Sequence, residues 1–469
     1  MGFSSSFEQL KNKIKSTLPI EKSFDLIFRE ITVDKKRAIM LFINGFINDS
    51  VMVHIMRELQ KVNDENKDTI RKIFLKNIPC GEVSQEYDFD KVITDVLSGM
   101  AAFFIEGENS ALVIDIREFP AREPSESLIE KVTRGARDDF VETIVFNTAL
   151  VRRRIRDPKM TFEIVKVGKV SQTDVAVGYI DNKVNKKLLN NVLKKLKSID
   201  IPALTMGEKS LEEVLIDKKW YNPMPVFRVT ERPESVAAHL IEGHIVLMVD
   251  TSPTALIIPS TLLYFTHYVE DYYQAPLVGT ITRLVRILSI FTAHLLVPLF
   301  MLIVAYPKSD YNLFKFLLPE SVGEITIFAQ IVFVEFWLEV LQLSSLHTPT
   351  NTESAFTIIG SLILGNYAID MGLLVPDSIL FAVSSAICNH CIPNPELANA
   401  VRIFRWILIL ATGFFKIYGF IIAWVIEMII IASTKTLDKG YLWPLIPFKF
   451  KALKHFLIRY PLAKFEKDN

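Results

Sequence analysis

A soluble α/β head made of two small mixed α/β subdomains, followed by an all-α polytopic membrane domain, is the fold class this sequence predicts. Three observations predict it. Up to about Arg286 the chain is charged and mixed, from Ile287 to about Ser433 it is strongly apolar, and a short basic tail follows. Between Phe24 and Asp250, short apolar runs alternate with segments of helical spacing. The first apolar block, "ILSIFTAHLLVPLFMLIVAY", has twenty residues, about 30 Å of helix and so one hydrocarbon thickness. The divisions read from these shifts are 1–157 (first subdomain with a long helix), 158–262 (second subdomain), 263–286 (amphipathic interfacial connector), 287–433 (membrane domain) and 434–469 (basic cytosolic tail).

Lysine plus arginine number 53, as do aspartate plus glutamate, so overall charge gives no reason to expect nucleic acid as a partner. The start, "MGFSSSFEQLKNKIKST", lacks the apolar core of a signal peptide, which predicts a cytosolic head. Gly2 has the position of a myristoylation signal, too short to carry weight. Cys80, Cys388 and Cys391 cannot make a disulfide framework. Cys388, His390 and Cys391 cluster in "ICNHCIPNP". Without a second cluster they read as small apolar-type cysteines at a segment end, not as metal ligands. No cofactor is expected.

In the head, "RAIMLFINGFI" reads as a buried strand running into a Gly turn, and "SVMVHIMRELQKV" as a helix with Ser50 as N-cap. "MAAFFIEGENSALVIDI" reads as a hairpin about "EGENS". The stretch from Ser125 to Pro158 reads as mostly helical, with a capping box at Ser127 and Glu130. Arg152, Arg153, Arg154 and Arg156 load its end, where the helix dipole favours cations. These four are an anion or lipid-headgroup candidate. The competing reading is a solvated helix end, salt-bridged to Asp138 or Asp139. "TFEIVKVG" and "TDVAVGYID" read as paired strands, "NKKLLNNVLKKLKSI" and "SLEEVLID" as helices. "ESVAAHLIEG" reads as a short helix feeding the strand "HIVLMVD", with "PTALIIP" pairing back. Strands alternating with helices favour mixed sheets. No P-loop, GxSxG, HExxH or dinucleotide turn is present, so an enzyme is not expected.

Arg283 and Arg286 mark the start of the first span as cytosolic. The second span is about Ile325–Leu346. The third region, Phe356–Cys391, is interrupted by Gly360, Gly365, Asp370, Gly372 and Pro376. The last, Arg402–Ser433, is too long for one span and carries Gly413, Lys416, Gly419 and Glu427. Arg402 and Arg405 read as a cytosolic flank, as does the tail. With those marks the topology closes only if one block dips in and returns.

The second span contains "VFVEFWLEVLQ". Glu335, Glu339 and Gln342 stand at i, i+4 and i+7 and share one helix face. A charge at membrane depth costs about 3 kcal/mol or more unless it meets water or a partner. The stripe could line a cation pathway, pair with a cation such as Lys416, or sit protonated between helices. It is the candidate ion pathway, with Asp370. Lys416 and Glu427 are weaker intramembrane charges.

Two blocks carry a resemblance. "RGARDDFVETIVFNTALVRRRIRDPKM" is similar to the form RGxxxxFVExxxxNxALxRxRxxxP. "NPMPVFRVTERPESVAAHLIEGHIVLMVDTSPTALIIP" is similar to ERPDxVAxxLxxGxVxxxVDxSPxxLxxP. With the tract from Glu335 to Arg405, they resemble the spore germination receptor A-subunit family, from about Phe24 to about Ser433. "LQLSSLHTPT" departs from the nutrient-receptor members, which tend to carry an arginine there. The resemblance implies a cytosolic two-subdomain head on a multi-pass domain in the inner membrane of the spore. It implies ring-like homo-oligomers that conduct monovalent cations at germination, a small membrane partner subunit and contacts with other germination proteins. The alternative is a non-conducting receptor or scaffold that docks another transporter.

Overall fold

A computed structural model describes residues 6–33, 36–60, 83–118, 134–216, 219–306, 325–347, 368–434 and 440–459, with a few isolated residues between these stretches. They form two compact units. One comprises residues up to 218 with 227–259, the other 219–226 with 260 onward.

The first unit carries two five-stranded sheets. In order, its elements are α1 (Phe7–Thr17), β1 (Leu26–Val33), β2 (Lys36–Ile43), α2 (Asp49–Gln60), β3 (Val83–Glu86), α3 (Phe89–Leu97), β4 (Ala101–Ile105), β5 (Ala111–Ile114) and α4 (Ile144–Arg154). There follow β6 (Met160–Val167), β7 (Thr173–Ile180), α5 (Lys186–Ser198), α6 (Glu208–Leu215), β8 (Arg228–Thr230), α7 (Pro233–Ile241), β9 (Ile245–Val249) and β10 (Ala255–Ile258). The first sheet has order β1-β2-β4-β5-β3 and the second β6-β7-β9-β10-β8. Every strand pair in them is antiparallel, where the alternation of elements favoured mixed sheets. Hairpins make β1–β2, β4–β5, β6–β7 and β9–β10, and β3 and β8 take the far edges beside β5 and β10.

The two orders are the same order, so one topology occurs twice. The repeat is visible in the sequence once the sheets align it. Residues 99–114, "GMAAFFIEGENSALVI", match 243–258, "GHIVLMVDTSPTALII", without a gap, and α3 and α7 fall at the same offset. Asn48 and Asn185 hold equivalent positions. Each accepts a backbone N–H through its side chain, from Val51 at 3.0 Å and from Lys187 at 3.0 Å, and so caps the helix that follows the hairpin. Asn48, not Ser50, is therefore the cap of α2. Ser50 lies inside the helix.

The repeat exposes one local conflict. At the β4–β5 turn Gly107 takes φ +86°, while its counterpart at the β9–β10 turn, Thr251, takes φ +70°. A β-branched residue is strained there and glycine is not. Thr251→Gly is expected to stabilise the chain by about 1 kcal/mol and raise its Tm by a few degrees. A thermal melt showing a lower Tm would overturn this.

Both faces of the first sheet are covered. Phe7, Leu10 and Ile14 of α1 and Phe89, Val92 and Val96 of α3 fill one core. Met52 and Ile55 of α2 join the other. On the second sheet, Ile144, Leu150 and Val151 of α4 and Val236 and Leu240 of α7 pack against Phe162, Ala176 and Val246. Helix α4 is far shorter than the sequence suggested. It starts after Thr143, and Glu130, expected in a capping box, is buried and bonded to Thr230 (2.6 Å) and Arg228 (3.4 Å). Ser127 lies outside the described residues. Apolar residues of α4 serve the second sheet's core, although the division at 157 put this helix with the first.

The second unit is helical: a 3-10 turn (Leu262–Thr266), α8 (Glu270–Tyr273), α9 (Pro276–Ala305), α10 (Ile327–His347), α11 (Pro376–His390), α12 (Pro395–Ser433) and α13 (Phe450–Leu457). Three of these, α9, α10 and α12, are long and apolar enough to cross a membrane. Helix α9 begins eleven residues before the expected span, so part of the expected connector is its first turns.

Helix α12 is not straight. Lys416 is non-helical, with φ 53° and ψ −133°. Arg405 and Glu427 each stand eleven residues from it, and in a continuous helix would be about 33 Å apart. Yet they reach consecutive residues of α9, Ala293 (3.4 Å) and His294 (3.1 Å). The chain therefore doubles back at Lys416 into two arms, 395–415 and 417–433. Gly419 permits the reversal: a Cβ there would lie 2.0 Å from the Ala411 carbonyl oxygen.

The remaining contacts give directions. The start of α10 (Ile327, Ile331) packs on the end of α9 (Val297, Phe300, Met301), with Ile409 of the first α12 arm and Val375 before α11. Ser385, midway along α11, bonds Ala293 at 2.8 Å. Helix α9 and the first α12 arm run one way, and α10, α11 and the second arm the other. The last arm thus ends at the end of the bundle where α9 begins. Gly360 and Gly365, among the expected interruptions, lie outside the described residues.

Candidate functional site

The glutamate stripe meets arginines. Glu335 is fully buried, and its Oε2 accepts from Arg405 at 2.8 Å. Arg405, itself 2% exposed, also donates to Ser385 Oγ at 2.7 Å and to the Ala293 carbonyl, and Ser385 donates to that same carbonyl. One node therefore joins α9, α10, α11 and α12. Four residues along α10, Glu339 pairs with Arg402 at 3.2 Å and accepts from the Trp406 indole at 3.2 Å. Gln342 Oε1 accepts from Arg402. Glu335, Glu339 and Gln342 do share one face, and that face meets Arg402, Arg405 and Trp406 of α12.

Arg402 and Arg405 were expected to flank a span on the cytosolic side. They lie within the bundle as partners of carboxylates, so they mark no flank. Lys416, the cation considered for the glutamates, is exposed at the turn of α12. Asp370 is exposed in the short turn that ends at Gly372, outside this ladder. Glu427 is buried against His294, with Nε2 and Oε2 3.1 Å apart.

Sequence reasoning missed His294 and Gln330. His294 had no visible partner because Glu427 is remote in the chain. Gln330 is buried, and its Oε1 accepts from Val375 N (2.9 Å) and Ser378 Oγ (3.1 Å), satisfying the start of α11. Its position in a span, one turn before Glu335, was the available signal.

At the end where α9 begins, Asp271 accepts from Arg286 (2.9 Å) and Arg283 (3.3 Å). Burial alone would raise its carboxyl, but the two arginines outweigh burial and hold it below the ordinary aspartate value. A depressed folded value places its stabilisation above the unfolded value near pH 3.9 and removes it as pH falls through the lower folded value. The α8–α9 junction is thus expected to resist proteolysis unchanged from pH 8 to about pH 4, then to loosen. Asp271→Asn should be loose throughout. Loosening of the parent near pH 6 would contradict this.

In the head the arginine run divides. Arg152 is fully buried and donates to Asp25, Ser23 and the Met160 carbonyl. Arg154 pairs with Asp138, the partner anticipated on the competing reading. Arg153 and Arg156 are exposed. The four do not form one anion-binding group, because Arg152 is occupied in the core. Cys388 and Cys391 are free thiols, and among the described residues no group of three or more His, Cys, Asp or Glu could hold a metal.

An α/β head and a helical bundle with three apolar spans and buried ion pairs define the class, a membrane protein with a large α/β domain. The chain belongs to the GerA family: the model of the Bacillus/Clostridium GerA spore germination protein matches residues 10–469. It is 38% identical over 447 residues to stage V sporulation protein AF of Bacillus subtilis, covering 95% of this chain and 90% of that one. It is 28% identical to spore germination protein KA of the same organism, covering 96% and 84%. The N-terminal domain of the A subunit of the Bacillus megaterium germinant receptor GerK3 aligns with a TM-score of 0.43 at 26% identity, over 55% of this chain and 96% of that one.

Proposed function

We propose that this chain is an oligomeric, cation-conducting membrane subunit that releases monovalent ions, or amplifies their release, during spore germination. The observation that carries the reading is the polar edge formed by Glu339, Arg402 and Gln342. Glu339 lies about 18 Å along α10 from Ile327 and about 12 Å from His347. Its side chain is 24% exposed and that of Arg402 21%. Lipid tolerates such a pair poorly at that depth, so the edge faces water or another subunit. An assembly that brings several such edges around an axis makes an aqueous path with carboxylates beside it, the arrangement that favours cations. Glu335, by contrast, is held inside the protomer and acts as scaffold for the edge.

Family membership supports germination as the setting and other germination proteins, a small membrane subunit included, as partners. The inner spore membrane is the proposed location. The shared end of α9 and the last α12 arm supports a head and tail on one side, and Arg283 and Arg286, two cations against the single Asp271, support the cytosol as that side.

The test is ion flux from vesicles holding the purified chain. Cation flux that Glu339→Gln shifts in cation-over-anion selectivity, with protein incorporation unchanged, is expected. Absence of flux from the chain alone would return the docking-scaffold reading. Flux indifferent to Glu339→Gln would remove the edge from the pathway.

A further inference from the structure

The tail was expected to be cytosolic and merely basic. Its structure next to the bundle says more. After α12 ends, Tyr441 is buried with Met224, Phe265 and Leu397, and its carbonyl accepts from Leu262 N at 2.9 Å. The chain is thereby pinned to the end of the bundle where α9 begins. From there it presents Leu445, Ile446, Phe448 and Phe450 outward, with Ile446, Phe448 and Phe450 each more than 60% exposed. Helix α13 then folds back: Phe456 stacks edge-on to Tyr264 and Trp443, and Arg459 donates to the Tyr272 carbonyl. The exposed apolar tract is held in place by anchors on both sides.

Charge follows the same pattern. From Gly440 to Arg459 there are four lysines and arginines, Lys449, Lys451, Lys454 and Arg459, and no aspartate or glutamate. Lys449 and Lys451 alternate with Phe448 and Phe450, and all four are exposed. A second loop at this end adds Trp220, 95% exposed, beside Tyr221, and Asn222 ties it to Thr434 at 2.9 Å, one residue after the last span. Apolar and aromatic groups interleaved with cations, at the level where a span ends, have the chemistry of the bilayer interface.

We infer that residues 440–459, together with the Trp220–Tyr221 loop, form a collar that inserts into an anionic lipid surface. The occupant is lipid because the tract continues directly from a span end and its cations, with no acid among them, match anionic headgroups. The apolar tips enter the headgroup–acyl boundary and the lysines reach back to the phosphates. This inference is independent of conduction, since a scaffold would need the same anchoring.

The experiment places one fluorophore at Ile446→Cys in the full chain, with Cys80, Cys388 and Cys391 replaced by serine. The protein is reconstituted in vesicles of phosphatidylcholine with or without phosphatidylglycerol. In anionic vesicles we expect strong quenching by a shallow lipid-borne quencher and at least threefold protection from aqueous iodide, relative to a probe at Val170 in the head. Lys449→Glu with Lys451→Glu should abolish most of that protection. Full iodide access at residue 446 would overturn the inference. So would shielding from both quenchers, which would signal a protein occupant. Equal lipid quenching without phosphatidylglycerol would overturn the preference for anionic lipid. Labelling at Trp220→Cys repeats the measurement should the tail variants fail to fold.

Discussion

Removing either partner of the buried pair, as Glu335→Ala or Arg405→Ala, is expected to destabilise the helical bundle by about 3–5 kcal/mol. The remaining charge would stand in a site 0–3% exposed, with no water to solvate it. Loss of Arg405 also strips donors from Ser385 and Ala293, so four helices lose their shared node. Replacing both charges with methionine is expected to recover most of the loss, because the pair's own desolvation cost disappears with it. Denaturant unfolding of the purified chain in detergent measures all three variants. Single substitutions costing under 1 kcal/mol would mean that the pair is solvated. A double variant as unstable as the singles would mean that packing, not charge, was lost. Glu339→Gln should cost much less, since its site keeps contact with solvent.

Arg152→Ala should have an effect of similar size in the head, about 3–5 kcal/mol. The guanidinium grips Asp25 through two nitrogens, at 2.9 and 3.2 Å, while Ser23 Oγ donates to Asp25 and accepts from Phe162 N at 2.9 Å. Phe24 N donates to the Phe162 carbonyl. This node ties the lead-in to β1 to the first residues of β6. Arg152→Lys should keep little of the stability, because an ammonium cannot reproduce the two-pronged contact. Arg156→Ala, in the same run but exposed, should change stability by less than about 0.5 kcal/mol. Amide exchange at Phe24 and Phe162 separates the outcomes: both should speed up in Arg152→Ala and neither in Arg156→Ala. Unchanged exchange in Arg152→Ala would remove the node from the account.

Local patterns carried the hairpin 101–114, the strands 160–180 and the helices α5 to α7, because each hides its apolar face at a fixed period. The long helix expected to run through 134–143 failed for the opposite reason. Its polar residues satisfy distant partners, as Glu130 does with Arg228, and no local period records that. The repeat of the two sheets escaped notice because what recurs is strand order and turn position more than residue identity. The glutamate stripe was legible as a stripe, since i, i+4, i+7 is a property of one helix.

By itself the sequence determined that this protein has a charged α/β head, an apolar helical domain and carboxylates at membrane depth, since composition and periodicity are local quantities. The tertiary structure alone decided which cations answer those carboxylates. Arg402 and Arg405 lie some sixty to seventy residues from their partners and looked like flank charges. They become intramembrane partners because the first arm of α12 packs antiparallel to α10 and against α9. A hydrogen bond needs two groups within about 3 Å, and that proximity is created only when the helices pack.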